Sequence, residues 1–380
     1  MSWQVEWIEG GAHAADAALA SRWDAAFESY GDIWQCRQLA CSWERTIAAA
    51  EGRKPFLIHA SDNANHEILY LLYAKETPLS GLMRTIVEPV GGLLHFDYQN
   101  PLPLGEPMQA EDWDAFWSAL YQSAIAVFPK LGQLAAYRLF ETHSGTTAAP
   151  GKPEPVAPYL PFEPGQTLEH VLQNSCRASH RRNVRARLRQ AEKLGPISLE
   201  MITGTDVASA LEQMFVTYEN QWGTDDRPHF FHALEVRMFY KDLADVAQQL
   251  GKLHFSRLVV GDEVWHWHFG FVHRGSLVWL KPTYATQAQQ HSPGVIHLAQ
   301  LIDHCLTNNL HEIDFGYGAE PYKFSWSNHS RPLYSREFMG NDALFTLARR
   351  ISSYRRALKQ SGLANYIKWK WSTWRKDDAN

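Results

Sequence analysis

The chain opens on alternation. Trp3, Val5 and Trp7 are separated by polar residues, the period-two pattern of a half-buried strand over 3–8. The period then lengthens. Residues 13–30, rich in Ala, and 37–51, ending near Gly52, read as helices. Residues 56–59 and 68–73 are apolar runs around a Ser-Asp-Asn-Ala-Asn turn, which predicts a hairpin. Another strand is expected at 83–89, a loop through Gly91-Gly92 and Asp97–Pro101, an amphipathic helix over 111–128 and a strand over 134–140. Strand, helices, strands, helix, strand is the order of a mixed α/β domain, here 1–141.

Residues 142–166 break the pattern. Pro150, Pro153, Pro155, Pro158, Pro161 and Pro164 predict an extended linker. The second half, 167–340, then repeats the scheme. A helix over 167–194 stops at Gly195-Pro196, and a strand follows at 197–202. Helices are expected at 205–220 and 229–250, strands at 252–260, 263–272 and 276–281, a helix at 295–309 and a strand at 311–315. No alignable internal repeat accompanies this, so the two halves are expected to be alike in architecture alone. Over 341–376 apolar residues recur at helical spacing, with nine Lys or Arg against one acid, Asp342, and with Trp369, Trp371 and Trp374 among them. Such a basic tail, 341–380 in full, suits either docking on its own domain or contact with an anionic membrane surface.

Composition narrows this picture. A chain of 380 residues with 45% apolar residues can build two cores, and its net charge of −5 argues against a general nucleic-acid binder. Cys36, Cys41, Cys176 and Cys305 show no paired metal spacing and read as reduced thiols. The N-terminus lacks the basic-then-apolar pattern of a signal peptide, and no apolar run approaches the roughly 20 residues of a spanning helix. The expected location is the cytoplasm, at most at the inner face of a membrane.

Four constellations could carry chemistry. Ser292-Pro293-Gly294 opens a helix, where free N–H groups and the positive dipole end favour phosphate; the same residues would also serve as an ordinary cap. The block Asp314–Trp326 gathers an acid, two glycines, two tyrosines, Lys323 and Trp326 at a strand end, and its aromatics would equally well plug a domain edge. His266 and His268 share a strand face in Glu263–Phe269, where a neutral imidazole can accept a proton or simply fill a core; a metal would need a third ligand, and none stands at a telling spacing. Lys281 and Tyr284 lie just beyond. Finally, residues 177–193 hold six Arg and one Lys against one Glu, with Arg177, Arg181, Arg185 and Arg189 four apart on one helix face. Guanidinium forks there suit phosphates, or the helix is a solvated basic surface.

Taken together, Arg177-Ala-Ser-His-Arg-Arg through Gly195, Tyr284 with Ser292-Pro293-Gly294, and Asp314-Phe-Gly-Tyr-Gly-Ala-Glu-Pro-Tyr-Lys323 with Trp326 resemble the GNAT acyltransferase group that contains the CelD/BcsL proteins of bacterial polysaccharide biosynthesis. That group is related to the FemAB peptidyltransferases. The resemblance spans roughly 165–335, with Gln289–Gly294 standing where the donor loop is expected. It implies two tandem GNAT-like domains, each a central mixed sheet flanked by helices. It implies an acyl group moved directly from an acyl-CoA or acyl carrier protein thioester, without a metal, to an amine or hydroxyl of a polysaccharide or envelope precursor.

In that reading Asp314 or His268 takes the acceptor proton and Tyr322 donates to the leaving group. Ser292, Gly294, Lys323, Arg181 and Arg185 hold the donor's phosphates, and Tyr284, Tyr317, Trp326 and Lys281 line the substrate cleft. The rivals are an aminoacyl-tRNA-dependent transferase of FemAB type and a catalytically degenerate module that binds a glycan or a partner.

Overall fold

The computed structural model describes residues 3–79, 81–145, 156–223, 229–340 and 345. The first half runs β1 (Gln4–Glu9), α1 (Ala17–Tyr30), α2 (Arg37–Trp43), β2 (Lys54–Ser61), β3 (Glu67–Leu79), β4 (Leu82–Pro89), α3 (Gly92–His95), β5 (Leu102–Pro103), α4 (Ala110–Val127), β6 (Leu131–Phe140) and α5 (Glu141–Ser144). The second runs β7 (Ala157–Pro161), α6 (Leu168–Ser175), α7 (Ala178–Glu192), β8 (Ile197–Met201), α8 (Asp206–Trp222), α9 (Leu234–Gln249), β9 (Leu253–Val260), β10 (Glu263–His273), β11 (Ser276–Tyr284), α10 (Pro293–Thr307), β12 (Glu312–Asp314), α11 (Lys323–Trp326), β13 (His329–Arg331) and β14 (Leu333–Met339).

Two seven-stranded mixed sheets result. One is ordered β1-β2-β3-β4-β6-β14, with β5 also on β3; the other is β13-β7-β12-β11-β10-β9-β8. Each sheet has one parallel step, β4 with β6 and β11 with β12, and every other pairing is antiparallel. A parallel step needs a crossover, and α4 and α10 supply it. The expected mixed α/β class with two like units therefore holds.

One apolar core joins the halves. Trp23, Phe27, Trp34 and Trp43 pack in the same cluster as Phe215, Phe239, Phe255, Phe269 and Phe271. Phe27 stacks on His273 at 4.3 Å and Trp34 meets Phe271 edge-on at 5.7 Å. Separate clusters lie under α4 and under α10.

Some elements differ from expectation. The helix expected at 167–194 is two helices, because Cys176 adopts extended backbone (φ −108°, ψ 144°) and Arg177 starts α7 afresh. The proline-rich stretch is more than a connector: β7 lies within it, between β12 and β13. Prolines argue against a central strand, yet β12 and β13 have three residues each, so few ladder bonds are forfeited. β14, near the end of the range expected for the second domain, pairs with β6 and completes the first sheet. The expected tail over 341–380 lies outside the described residues except for Phe345. Among the described residues, no helix is long and apolar enough to cross a membrane.

Candidate active site

β11 and β12 run together only from Ser276–Glu312 to Val278–Asp314. β12 ends there, whereas β11 continues to Tyr284. Beyond Val278 that edge of β11 has no partner strand among the described residues, and the chain after β12 swings away into the glycine- and tyrosine-rich block. The register of β10 against β11 also shifts here, Phe269 facing Lys281 and Gly270 facing Trp279, which leaves Leu280 as a bulge. A bulge bends its strand and increases its twist. Gly270 accommodates the bend, since a Cβ there would collide with the Val278 carbonyl and lie 2.7 Å from His268 Nε2.

The parting opens a cavity of about 560 Å³, within the range of small-molecule sites. Trp279, Pro282 and Tyr284 of β11 form one wall, and Tyr322, Ser325 and Trp326 the other. His180 and Asn183 of α7 and Gln221 and Trp222 of α8 flank it, and Ser292–Val295 with Leu298 close one end. The Gln221 side-chain oxygen accepts from the Thr283 hydroxyl at 2.6 Å and from the Tyr284 N–H at 3.0 Å, which fixes the end of β11.

The end formed by α10 is open electrostatically. Ser292 sits in the left-handed region (φ 55°, ψ 57°), Pro293 starts the helix, no side chain caps it and no acid lies in its first turn. Pro lacks an N–H and is suited to that position. The Gly294 N–H and the positive dipole end therefore remain available to an anion, while the Val295 N–H already donates to the Ser292 carbonyl at 3.0 Å.

Beside His180, His266 supplies a deeply buried imidazole to the cavity. It is 2% exposed, and its Nδ1 lies 2.7 Å from His297 Nδ1, while His297 Nε2 lies 3.1 Å from the Ser256 hydroxyl. Its Nε2 faces Gly294, where a Cβ would sit 3.3 Å away. Burial pushes the His266 pKa down to about 3 and that of His297 well below its ordinary value. Both rings are neutral, so one Nδ1 donates and the other accepts. When His266 donates, its Nε2 offers a lone pair to the cavity. Tyr322 keeps 42% of its surface exposed, while desolvation raises its pKa to about 12, so the phenol is a proton donor at neutral pH.

Six of the residues singled out in the sequence therefore meet in one place: Ser292, Gly294, Tyr284, Tyr322, Trp326 and His266. The others do not reach the cavity. His268 is wholly buried behind Trp279, stacked on its indole at 4.4 Å and 9°. Asp314 faces the other half of the chain: the Tyr98 hydroxyl donates to its carboxylate at 2.7 and 2.8 Å, the Gly316 N–H at 2.8 Å, and Arg331 stands 3.9 Å away. Burial raises Asp314 to about 6 despite Arg331 and Tyr98. A separate, polar cavity of about 360 Å³ lies there, bordered by Asp32, Tyr98, Asp314 and Arg331.

Lys323 is 4% exposed and points inward, donating to the carbonyls of Gly316, Tyr317 and Gly318 at 3.4, 2.9 and 3.4 Å and pairing with Glu320 at 2.9 Å. Its ammonium holds the loop closed and is spent on backbone. Arg138 lies 3.5 Å over the Tyr317 ring, and Asp97 packs against Gly316, so this part of the block clasps the two halves. Lys281 points to the opposite sheet face, 4.0 Å over Phe230, and burial lowers it to about 8. Arg181 donates to the Cys176 carbonyl at 2.7 Å, and Arg185 pairs with Glu169. The sequence singled out none of His297, Gln221, Trp222 or Asn183. His297 and His304 lie seven apart on α10, opposite a strand rich in histidine, and that spacing was the available signal. Cys36, Cys41, Cys176 and Cys305 are free and buried. Among the described residues, the one His/Cys/Asp/Glu group with ligand atoms gathered within 4.8 Å is His13, Cys41 and Glu44, in the first half.

Residues 178–324, which contain β11, α10 and the cavity walls from α7 to Tyr322, match the family described as "Acetyltransferase (GNAT) domain". The second half therefore contains a stretch similar to GNAT acetyltransferase domains. The enzyme class expected from the sequence, acyltransferase, agrees with this match. No curated protein matches the chain in sequence. Among solved structures, FemX is similar over 86% of this chain and 97% of its own, with 12% identity and a TM-score of 0.57. L-PGS from Bacillus licheniformis is similar over 88% and 96%, with 11% identity and a TM-score of 0.51. At these identities the likeness is one of fold, and it extends through both halves beyond the GNAT match.

Proposed function

We propose that this GNAT domain transfers an acyl group from a thioester donor, acyl-CoA or an acyl carrier protein, to an amine or hydroxyl. The observation that carries the reading is the apolar cavity at the parting of β11 and β12, set against the uncapped start of α10. An extended arm bearing amides fits the unpartnered edge of β11 by strand addition. A phosphate on that arm meets the N–H group at Gly294 and the positive end of α10. Trp222, Trp279 and Trp326 take the apolar acyl part.

The reaction follows from the polar atoms that remain. The acceptor attacks the thioester carbonyl and its proton passes to His266 Nε2. The C–S bond breaks, and the departing thiolate takes the proton of Tyr322, which solvent restores. His297 positions His266 through the shared Nδ1 proton. Asp314, Lys323 and Tyr317 are assigned to holding the two halves together, and Lys281, Arg181 and Arg185 to structural pairs. The acceptor class, a polysaccharide or cell-envelope precursor, comes from the motif resemblance to the CelD/BcsL group, and a place in the cytoplasm from the cysteines read as reduced thiols.

Thiol release from a panel of acyl-CoA and acyl-carrier donors, with amino-sugar and hydroxyl acceptors, tests the reading. Acceptor-dependent release that is lost in His266→Ala is expected. If no thioester is consumed and none shifts the melting temperature, the reading fails. Transfer from aminoacyl-tRNA alone would replace the donor.

A further inference from the structure

The layer between α10 and its sheet is polar along one line. His254 and Ser256 share a face of β9, and His266 and His268 share the facing side of β10, with Ser256 paired to His268 and His254 paired to Gly270. His297 and His304, two helical turns apart on α10, lie over them. Ring centroids are separated by 4.8 Å for His266–His297, 6.3 Å for His297–His268, 5.4 Å for His268–His254 and 5.4 Å for His254–His304. His254, His266, His268 and His297 are each at most 2% exposed, whereas His304 is half-buried and reaches the surface. No protein hydrogen bond of normal geometry reaches either ring nitrogen of His254 or His268; their polar contacts are the Val278 backbone beside His268 and the backbone of His254 itself. Leaving a buried polar atom unpaired costs about 1–3 kcal/mol. An apolar layer would avoid that cost, so packing alone does not account for this one.

The cavity gives the row a purpose. With donor and acceptor filling the cavity, a proton captured at His266 Nε2 is shut off from water on that side, and Trp279, Leu298 and the start of α10 line the rest. We propose that the imidazole row conducts that proton from His266 to solvent at His304. As Nε2 of His266 gains a proton, Nδ1–H of His266 passes its own to His297 Nδ1, and Nε2–H of His297 passes its own to Ser256 Oγ. The Ser256 hydroxyl proton moves to His268, then to His254, to His304 and to bulk water. A ring flip or one water joins Ser256 Oγ to His268 and the ring nitrogens at the 5.4 Å steps. One proton enters and one leaves, each imidazole ends neutral in its other tautomer, and ring rotation resets the row. His254, His268, His297, His304 and Ser256 are positioning and relay residues; of this row, only His266 touches the reacting atoms.

The relay rests on the acyl-transfer reading, but its first test needs no turnover. Nitrogen-15 NMR of the full chain reads exchange of the buried His266/His297 ring proton with solvent. Exchange faster than that of the β10 backbone amides is expected, slowing at least about tenfold in His254→Gln and in His304→Gln, the second chosen because its site is half exposed and tolerates substitution. In the transfer assay the same variants should lose about 10²-fold in kcat, keep the donor KM, show a larger solvent deuterium effect and recover in imidazole buffer. Folded variants with unchanged ring exchange and unchanged kcat would overturn the relay. Ring exchange that depends on His254 in a protein that consumes no thioester would leave the path standing and remove the acyl-transfer reading instead.

Discussion

The parallel step occurs twice in this chain, and the two helices that make it begin differently. α4 joins β4 to β6 with Glu111 and Asp112 in its first turn, and the Asp112 carboxylate accepts the Gln109 N–H at 2.8 Å. Its start is satisfied internally and carries negative charge. Trp113, Phe116 and Trp117 fill the space beneath it. α10 joins β11 to β12 with no acid in the first turn and no side-chain cap, and beside it the strands part around the cavity. One crossover is a closed structural joint and the other an open site, although the strand order is the same. The difference lies in a few side chains at the helix start and in where the parallel ladder stops.

The comparison can be broken at its strongest point first. Removing the imidazole, His266→Ala, should lower kcat by about 10²–10⁴-fold with the fold intact by circular dichroism; retention of wild-type turnover would separate the open crossover from the chemistry. Making α10 resemble α4 comes next. Val295→Asp places a carboxylate where donor phosphate is expected, and the donor KM should rise about tenfold, roughly 1.4 kcal/mol. An unchanged KM would mean that phosphate does not sit there.

Asp314→Asn probes the clasp. Burial raises Asp314 from 3.8 to about 6 in the folded chain. Its contribution to stability is therefore complete below about pH 4 and is lost as pH rises through about 6, an effect on the order of 3 kcal/mol. The variant should flatten the fall in melting temperature across that interval while turnover stays near wild type. A large loss of turnover would return Asp314 to the active site. The smallest effect belongs to the closed crossover. Asp112→Asn should cost about 0.5–1 kcal/mol of stability, read as a lower melting temperature, and leave the donor KM unchanged.

Most strands and most helices were legible because period-two and period-3.6 patterns report burial directly. Ser292, Gly294, Tyr284, Tyr322 and Trp326 were legible too, since each stands at a helix start or strand end, where sites form locally. Asp314, Lys323 and Lys281 were misassigned for a common reason. An acid or lysine in a dense loop looks the same whether it faces a ligand or another segment. Tyr98, the Gly316–Gly318 carbonyls and Phe230 are the partners that decide it, and for Asp314 and Lys281 that partner is distant in sequence.

The choice between His266 and His268 shows the same limit. Alternation put both on one face, and it could not say that Trp279 would cover one while Gly294 left the other open. By itself the sequence determined the strand–helix order, the doubled scheme and the open helix start at Ser292–Gly294, because these depend on local spacing and backbone preference. Only the tertiary structure decided that β14 returns to the first sheet, that β11 outruns β12 to open a cavity, and that five histidines from three elements fall in one row. Those outcomes depend on ladder length and long-range packing, and no local pattern encodes them.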